Sequence, residues 1–209
     1  MIRTLALLGP LVFLFTAITV QALHPSYDWM HAPLSFYLSG PHGPWLQSAY
    51  AFLAAAISAQ AWLSWRAERT GVLNTAALLL FFGGATALVV TALYPGGSPA
   101  GAVPPFEHRL HVLSALLAFG LTGIGLLLRG ALDWARGERV FLPLAVLAFA
   151  GLLLHVFVRE LPRGLSQKVV IALYLLWIGL HGWRSGSAAP SGGRERPLQS
   201  SESGPRSGA

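Results

Sequence analysis

The sequence predicts an all-α integral membrane protein, a bundle of six transmembrane helices with both termini cytoplasmic and a loop capping the outer side. Three observations carry this prediction. Six apolar stretches make up most of the 209 residues. Only 11% of residues are charged, against about a quarter in soluble domains. Nearly every ionisable residue lies between or beyond the apolar stretches, where water or headgroups can solvate it.

The stretches run over residues 4–23, 45–65, 72–94, 110–128, 140–158 and 168–183, against the roughly 20 residues needed to cross hydrocarbon. The first begins after Arg3 and ends near Val20-Gln21-Ala22, a pattern that also suits a secretory leader. Its apolar run from Leu5 to Val20 exceeds the roughly 7 to 15 residues of a leader core, and cleavage would leave five spans, so a retained helix is expected. The second carries Ala51, Ala55 and Ala59 at helical spacing. Gly83 and Gly84 in the third, with Ser114, Ala118 and Thr122 in the fourth, are further candidates. Small residues of this kind let helix backbones approach where lipid removes any hydrophobic drive to associate. Asn74, Gln47 and Gln60 near span ends are expected to hydrogen-bond between helices. Trp45, Trp62, Trp65, Tyr94, Trp134, Trp177 and Trp183 fall near span ends, as headgroup-level rings do.

Charge sets the orientation. Arg3, Arg66, Arg69, Arg129, Arg136, Arg139, Arg184, Arg194, Arg196 and Arg206 fall on one side, and only Arg109, Arg159, Arg163 and Lys168 on the other. Positively charged short loops stay in the cytoplasm, which predicts an inward N-terminus and C-terminus. The domain is expected to span residues 4–184. Residues 185–209, rich in Ser, Gly, Pro, Arg and Glu, predict a disordered cytoplasmic tail. The net charge of +6 is spread over loops and tail rather than gathered on one soluble face, so no nucleic-acid partner is expected. The lipid bilayer is the expected partner, in the cell (inner) membrane. Thirteen arginines to one lysine lean toward a bacterial, GC-rich genome. The absence of cysteine removes disulfides and thiolate ligands.

Two loops lie on the outer side. The linker PGGSPAGAVPPFE lacks apolar periodicity. The loop from His24 to Pro44 carries Tyr27, Trp29, Met30, Leu34, Phe36, Tyr37 and Leu38, too apolar for free solvation, and is expected to fold back as a short interfacial helix or cap.

His24, His31, His42, His108, His111 and His155 all map to the outer half, and only His181 to the inner. Asp28, Ser35, Glu107 and Glu160 join them. Imidazoles and carboxylates at one depth suit zinc ligation or acid–base chemistry. The candidates are His31, His108, His111 and His155 as metal ligands and Asp28, Glu107 or Ser35 as catalytic groups. Each has a plainer role available, as a loop, capping or helix-pinning residue. Arg159, Arg163 and Lys168 are placed to meet outer-leaflet phosphates. No HExxH, GxSxG, Walker A, dinucleotide-binding glycine turn or CxxC is present in the chain, and no inverted repeat marks a transporter site.

The segments HPSYDWMHAPLSFYLSGPHGPW, ALYPGG followed by HRLHVLSALLAF, and GLSQKVVIALYLLWIGL resemble, in that order, the six-span prokaryotic membrane proteins of domain of unknown function 998. The resemblance implies architecture and membrane location but no activity. It places recurring polar positions at Ser35, His111 and Tyr27. Phe36 stands where the pattern often has a carboxylate, which weakens the case for a catalytic acid there. A more distant likeness is to seven-span metal-dependent ceramidase-like hydrolases, which differ in span count and histidine spacing.

Together these readings predict a membrane-embedded binding or accessory protein with an outward-facing polar pocket between the first outer loop and spans four and five, open to a lipid or small-molecule ligand. Two alternatives stand beside it: a metal-assisted hydrolase of a lipid or isoprenoid at the outer interface, using zinc, and a proton-coupled small-molecule carrier.

Overall fold

The computed structural model describes residues 2–68, 71–99 and 102–187. The expected tail falls mostly outside the described residues, as do Arg69, Arg194, Arg196 and Arg206. Six long helices follow in order: α1 (Ile2–Ala22), α2 (Gly43–Ala67), α3 (Val72–Leu93), α4 (Pro105–Trp134), α5 (Phe141–Phe157) and α6 (Arg163–Ser187). A 3₁₀ helix, Leu34–Ser39, lies between α1 and α2.

Four of the six, α1, α3, α4 and α6, are long and apolar enough to cross a membrane. This is fewer than the six apolar crossings expected from sequence. Helix α5 is apolar but has 17 residues, about 26 Å at 1.5 Å per residue against about 30 Å of hydrocarbon. Helix α2 is long at 25 residues but dilutes its hydropathy with Gln47, Ser48, Ser58, Gln60, Ser64 and Arg66. It can carry these because it is well enclosed, with Leu46, Tyr50, Leu53 and Ile57 in the core.

Contacts between helix ends give an up-and-down arrangement. Arg129 of α4 meets Glu68, just after α2, and Asn74 at the start of α3. His181 of α6 meets Gln60 of α2, and Gly182 lies beside Ala6 of α1. These residues define one end of the bundle, the arginine-rich end, where the start of α1 and the end of α6 come together. At the opposite, cap end, α4 starts beside the end of α3, and the end of α5 meets the start of α6.

Close backbone approach holds the helices together, as expected for a bundle lacking hydrophobic drive between its parts. A β-carbon on Gly84 of α3 would sit 2.3 Å from Thr122 Oγ1 and 3.1 Å from the Thr122 nitrogen of α4. One on Gly9 of α1 would meet the Ala56 β-carbon of α2 at 2.2 Å. The small-residue series of α4 is therefore a packing face, and Ser114, Ala118 and Thr122 are all buried. The alanine series expected in α2 is not: Ala51 and Ala55 are exposed and only Ala59 is buried, because the face against α1 runs through Ala56 instead. Trp177 also departs from its expected interfacial place. It is 1% exposed, donates to the Phe141 carbonyl at 2.8 Å and stacks on His181.

Helix α4 is longer at both ends than its apolar stretch. It starts at Pro105, where a missing N–H and fixed φ suit the first helical position. It then continues past Leu128 to Trp134 because Arg129 and Asp133 turn inward to partners rather than out to lipid.

Candidate functional site

The loop between α1 and α2 folds as a cap seated on the start of α6. Asp28 organises its first turn, accepting from the Met30 amide at 2.9 Å and from His31 Nδ1 at 2.6 Å. These hydrogen bonds, the His31 one foremost, hold the Asp28 carboxyl below its ordinary value of 3.8. Gln167 Oε1 accepts from the Leu34 amide at 2.7 Å, the Leu165 amide donates to the Met30 carbonyl at 2.8 Å, and the Lys168 ammonium donates to the Trp29 and Ala32 carbonyls. Thus anchored, the 3₁₀ helix buries Leu34, Tyr37 and Leu38 almost completely. The fold-back expected of these apolar loop residues takes the form of this cap and its 3₁₀ helix.

Beneath the cap lies a cluster of polar rings. His24 donates through Nδ1 to the Val20 carbonyl at 2.9 Å. The His24 ring is stacked with Tyr27 at 6.2 Å between centroids and meets Tyr37 at 5.8 Å and His42 at 5.2 Å edge to face. His24 Nε2, Tyr37 Oη and His42 Nδ1 are all buried without a protein hydrogen-bond partner. Burial pushes the Tyr37 phenol above its ordinary value of 10.0. A cavity of about 330 Å³ opens beside this cluster, lined by His24, Ser26, Tyr27, Ser39, Gly40 and Ser98 among others. The backbone at Gly40 closes over the ring: a β-carbon there would lie 2.7 Å from His24 Nε2. Buried polar atoms without partners are uncommon because each costs about 1–3 kcal/mol. Three within one ring cluster are therefore the most informative feature of the cap end.

The residues singled out from sequence are held in separate places. His31 pairs with Asp28 on the exposed cap. His108 Nδ1 donates to the Gly96 carbonyl at 2.8 Å. The buried His111 uses Nδ1 for the Tyr94 carbonyl at 2.8 Å, with Thr91 O at 3.2 Å. His155 bonds Ser166 at 2.8 Å, tying α5 to α6. Ser35 is half-buried on the 3₁₀ helix, and Glu107 is half-buried in the first turn of α4. Among the described residues, no three His, Asp or Glu side chains form a group that could hold a metal ion. Of the recurring positions implied by the resemblance, only Tyr27 joins the cap cluster.

A second polar assembly sits at the arginine-rich end, where the sequence placed loop charges, His181 and the interhelical partners Asn74 and Gln60. Arg129 forks onto Glu68 at 2.6 and 3.1 Å, bonds Asn74 Oδ1 at 3.2 Å and pairs with Asp133 at 2.9 Å. His181 Nε2 donates to the other oxygen of Asp133 at 3.1 Å, and Gln60 Nε2 donates to His181 Nδ1 at 3.0 Å. Arg136 closes onto Glu68, and Arg184 reaches Asp133 at 3.5 Å and Glu138 at 2.7 Å. Asp133 is wholly buried and His181 2% exposed. Carboxylates and guanidinium groups at this depth are stable only when paired and hydrogen-bonded on all sides. The assembly joins α2, α3, α4 and α6. A void of about 10 Å³ lies against it, and Arg129 Nε and Gln60 Oε1 are buried there without protein partners.

An all-helical bundle with several helices fit to cross a bilayer, a polar cap and a buried charge network defines the class: a helical membrane protein. The chain belongs to the family described as protein of unknown function (DUF998), whose model matches residues 7–184. No curated protein and no solved structure matches the chain.

Proposed function

We propose that the protein is a six-span inner-membrane protein, with the arginine-rich end cytoplasmic and the cap outward, that binds a small polar molecule or lipid headgroup beneath the cap. The observation that carries this reading is the trio of buried, unpartnered polar atoms His24 Nε2, Tyr37 Oη and His42 Nδ1, in a ring cluster whose His24 and Tyr27 line a cavity. Such atoms weaken a fold that has no use for them and favour a ligand that satisfies them. The cavity lies between the cap and the α3–α4 loop, through Ser98, rather than against spans four and five. Charge supports the orientation, because positive loops are retained inside.

The test compares wild-type protein with Tyr37→Phe by native mass spectrometry after gentle extraction from its membrane. A small molecule retained by the wild type and lost from the variant, with melting unchanged or raised, supports the reading. Identical spectra together with a lower melting temperature would mean that the hydroxyl is structural and would overturn it. The hydrolase alternative draws less support from the geometry, since His31, His108, His111 and His155 are each bound to a different partner. The carrier alternative gains one observation, the buried Asp133–His181 pair, because ionisable groups at membrane depth commonly serve transport.

A further inference from the structure

Two polar atoms of the arginine-rich end share one void. This space of about 10 Å³ is lined by Gln60 and Ser64 of α2, Phe81 of α3, Arg129 of α4 and His181 of α6, among others. Arg129 and Gln60 are 4% and 6% exposed, and each carries a buried polar atom without a protein partner, Arg129 Nε and Gln60 Oε1. Their neighbours in the assembly are closely paired. Two orphaned atoms, on different helices at one void, call for a common explanation.

The two atoms differ in kind, and their neighbours fix which is which. Arg129 Nε can only donate. Gln60 uses Nε2 for His181 Nδ1 at 3.0 Å, which leaves its carbonyl oxygen, an acceptor, over. His181 accepts there because its Nε2 proton goes to Asp133 at 3.1 Å. The surrounding charges suit a neutral imidazole: Arg129, Arg136 and Arg184 meet Glu68, Asp133 and Glu138, three against three. A guest in this void must therefore accept on one side and donate on the other. A halide cannot donate to Gln60 Oε1, and a metal cation cannot accept from Arg129. Size gives the same answer, since about 10–15 Å³ is the least that holds one water molecule.

We propose that the void binds one water molecule, which accepts from Arg129 Nε and donates to Gln60 Oε1. The water closes a circuit through three helices. Arg129 of α4 donates to the water, the water to Gln60 of α2, Gln60 to His181 of α6, and His181 to Asp133, which lies back on α4 and pairs with Arg129 directly. Every donation on this path runs from the cation toward the anion, so each bond polarises the next in the same sense. Ser64 follows Gln60 by one turn of α2 and so shares its face. It is half-buried where the rest of the lining is buried, which marks the side from which water enters, and its hydroxyl offers the third partner such waters usually have. The site is independent of the cap pocket and of membrane orientation, so Tyr37→Phe leaves it untouched.

Crystals of the full chain grown with bromide in place of chloride, diffracting well enough to place ordered water, test the occupant. The expected result is one water-sized peak within hydrogen-bond reach of both Arg129 Nε and Gln60 Oε1, roughly 2.7–3.2 Å, and without bromide anomalous signal. Anomalous signal at that point would overturn the water in favour of an anion, and a void without density would overturn the site. Two variants at Ala61, which also lines the void, test it in detergent solution. Ala61→Val should expel the water and put nothing polar in its place, so it is expected to melt below wild type. Ala61→Thr has the same shape but carries a hydroxyl, and is expected to recover part of that loss. Ala61→Val melting at or above wild type would mean that a dry cavity had been filled, and would overturn the site. Equal losses in the two variants would trace the effect to crowding and count against it.

Discussion

Arg129 and Asp133, one helical turn apart at the end of α4, are paired at 2.9 Å with side chains 5% and 0% exposed. Neither would survive alone at that depth. Their partners come from the α2–α3 turn and from α6, so the pair acts as the node at which the arginine-rich end is assembled.

Removing Asp133 takes the shared carboxylate from Arg129 and His181 at once, leaving Arg129 only the Glu68 and Asn74 side chains. Asp133→Ala is expected to cost about 3–5 kcal/mol, the range for breaking a buried pair from one side. Unfolding in mixed detergent micelles measures it. A loss no larger than an exposed ion pair gives, about 1 kcal/mol or less, would show that water reaches the node.

Overpacking tests the α3–α4 seam. Gly84→Ala places a methyl 2.3 Å from Thr122 Oγ1 and is expected to cost about 1–3 kcal/mol. Adding Thr122→Ala should recover part of this, since the Thr122 nitrogen and the Ala118 carbonyl at 3.3 Å still crowd the site. Full recovery would place the whole conflict on the hydroxyl.

The separate anchoring of the histidines predicts independence. His31→Ala and His155→Ala should add in a double-mutant cycle to within about 0.5 kcal/mol, because their partners are Asp28 and Ser166 and they share none. A larger coupling would mean that they meet a common ligand or ion after all.

Acid should loosen the cap. The folded Asp28 pKa is depressed, so its contribution is present above the ordinary 3.8 and is lost as pH falls through the lower folded value. Protection of the Met30 amide, which Asp28 accepts, is expected to drop below that pH in wild-type protein. In Asp28→Asn it should not change over the same range.

The helices were legible because each is written as an apolar run, and the cap because Leu34, Tyr37 and Leu38 are too apolar for open water. The node was not. Reading hydropathy ends the fourth span at Leu128, before Arg129, and assigns the next charges to a loop. A different signal was available: His111, Ser114, Ala118, Thr122, Gly125, Arg129 and Asp133 recur every three or four residues and are all buried. That polar and small stripe continues without interruption from the cap end to the node, as a helix face turned inward would require. The cap cluster was missed for another reason. His24 and His42 lie on either side of the cap loop, and only its folding brings them within 5.2 Å of each other.

In the proposed arrangement the cap faces outward, across a membrane from the node. The chain has no cysteine, so one can be placed at will: Ser26→Cys in the cap and Ala135→Cys after α4, both at exposed positions. Labelling of intact cells with a membrane-impermeant maleimide is predicted to modify the Ser26→Cys protein at once and the Ala135→Cys protein only after lysis. The reverse pattern, or equal labelling of both in intact cells, would contradict it.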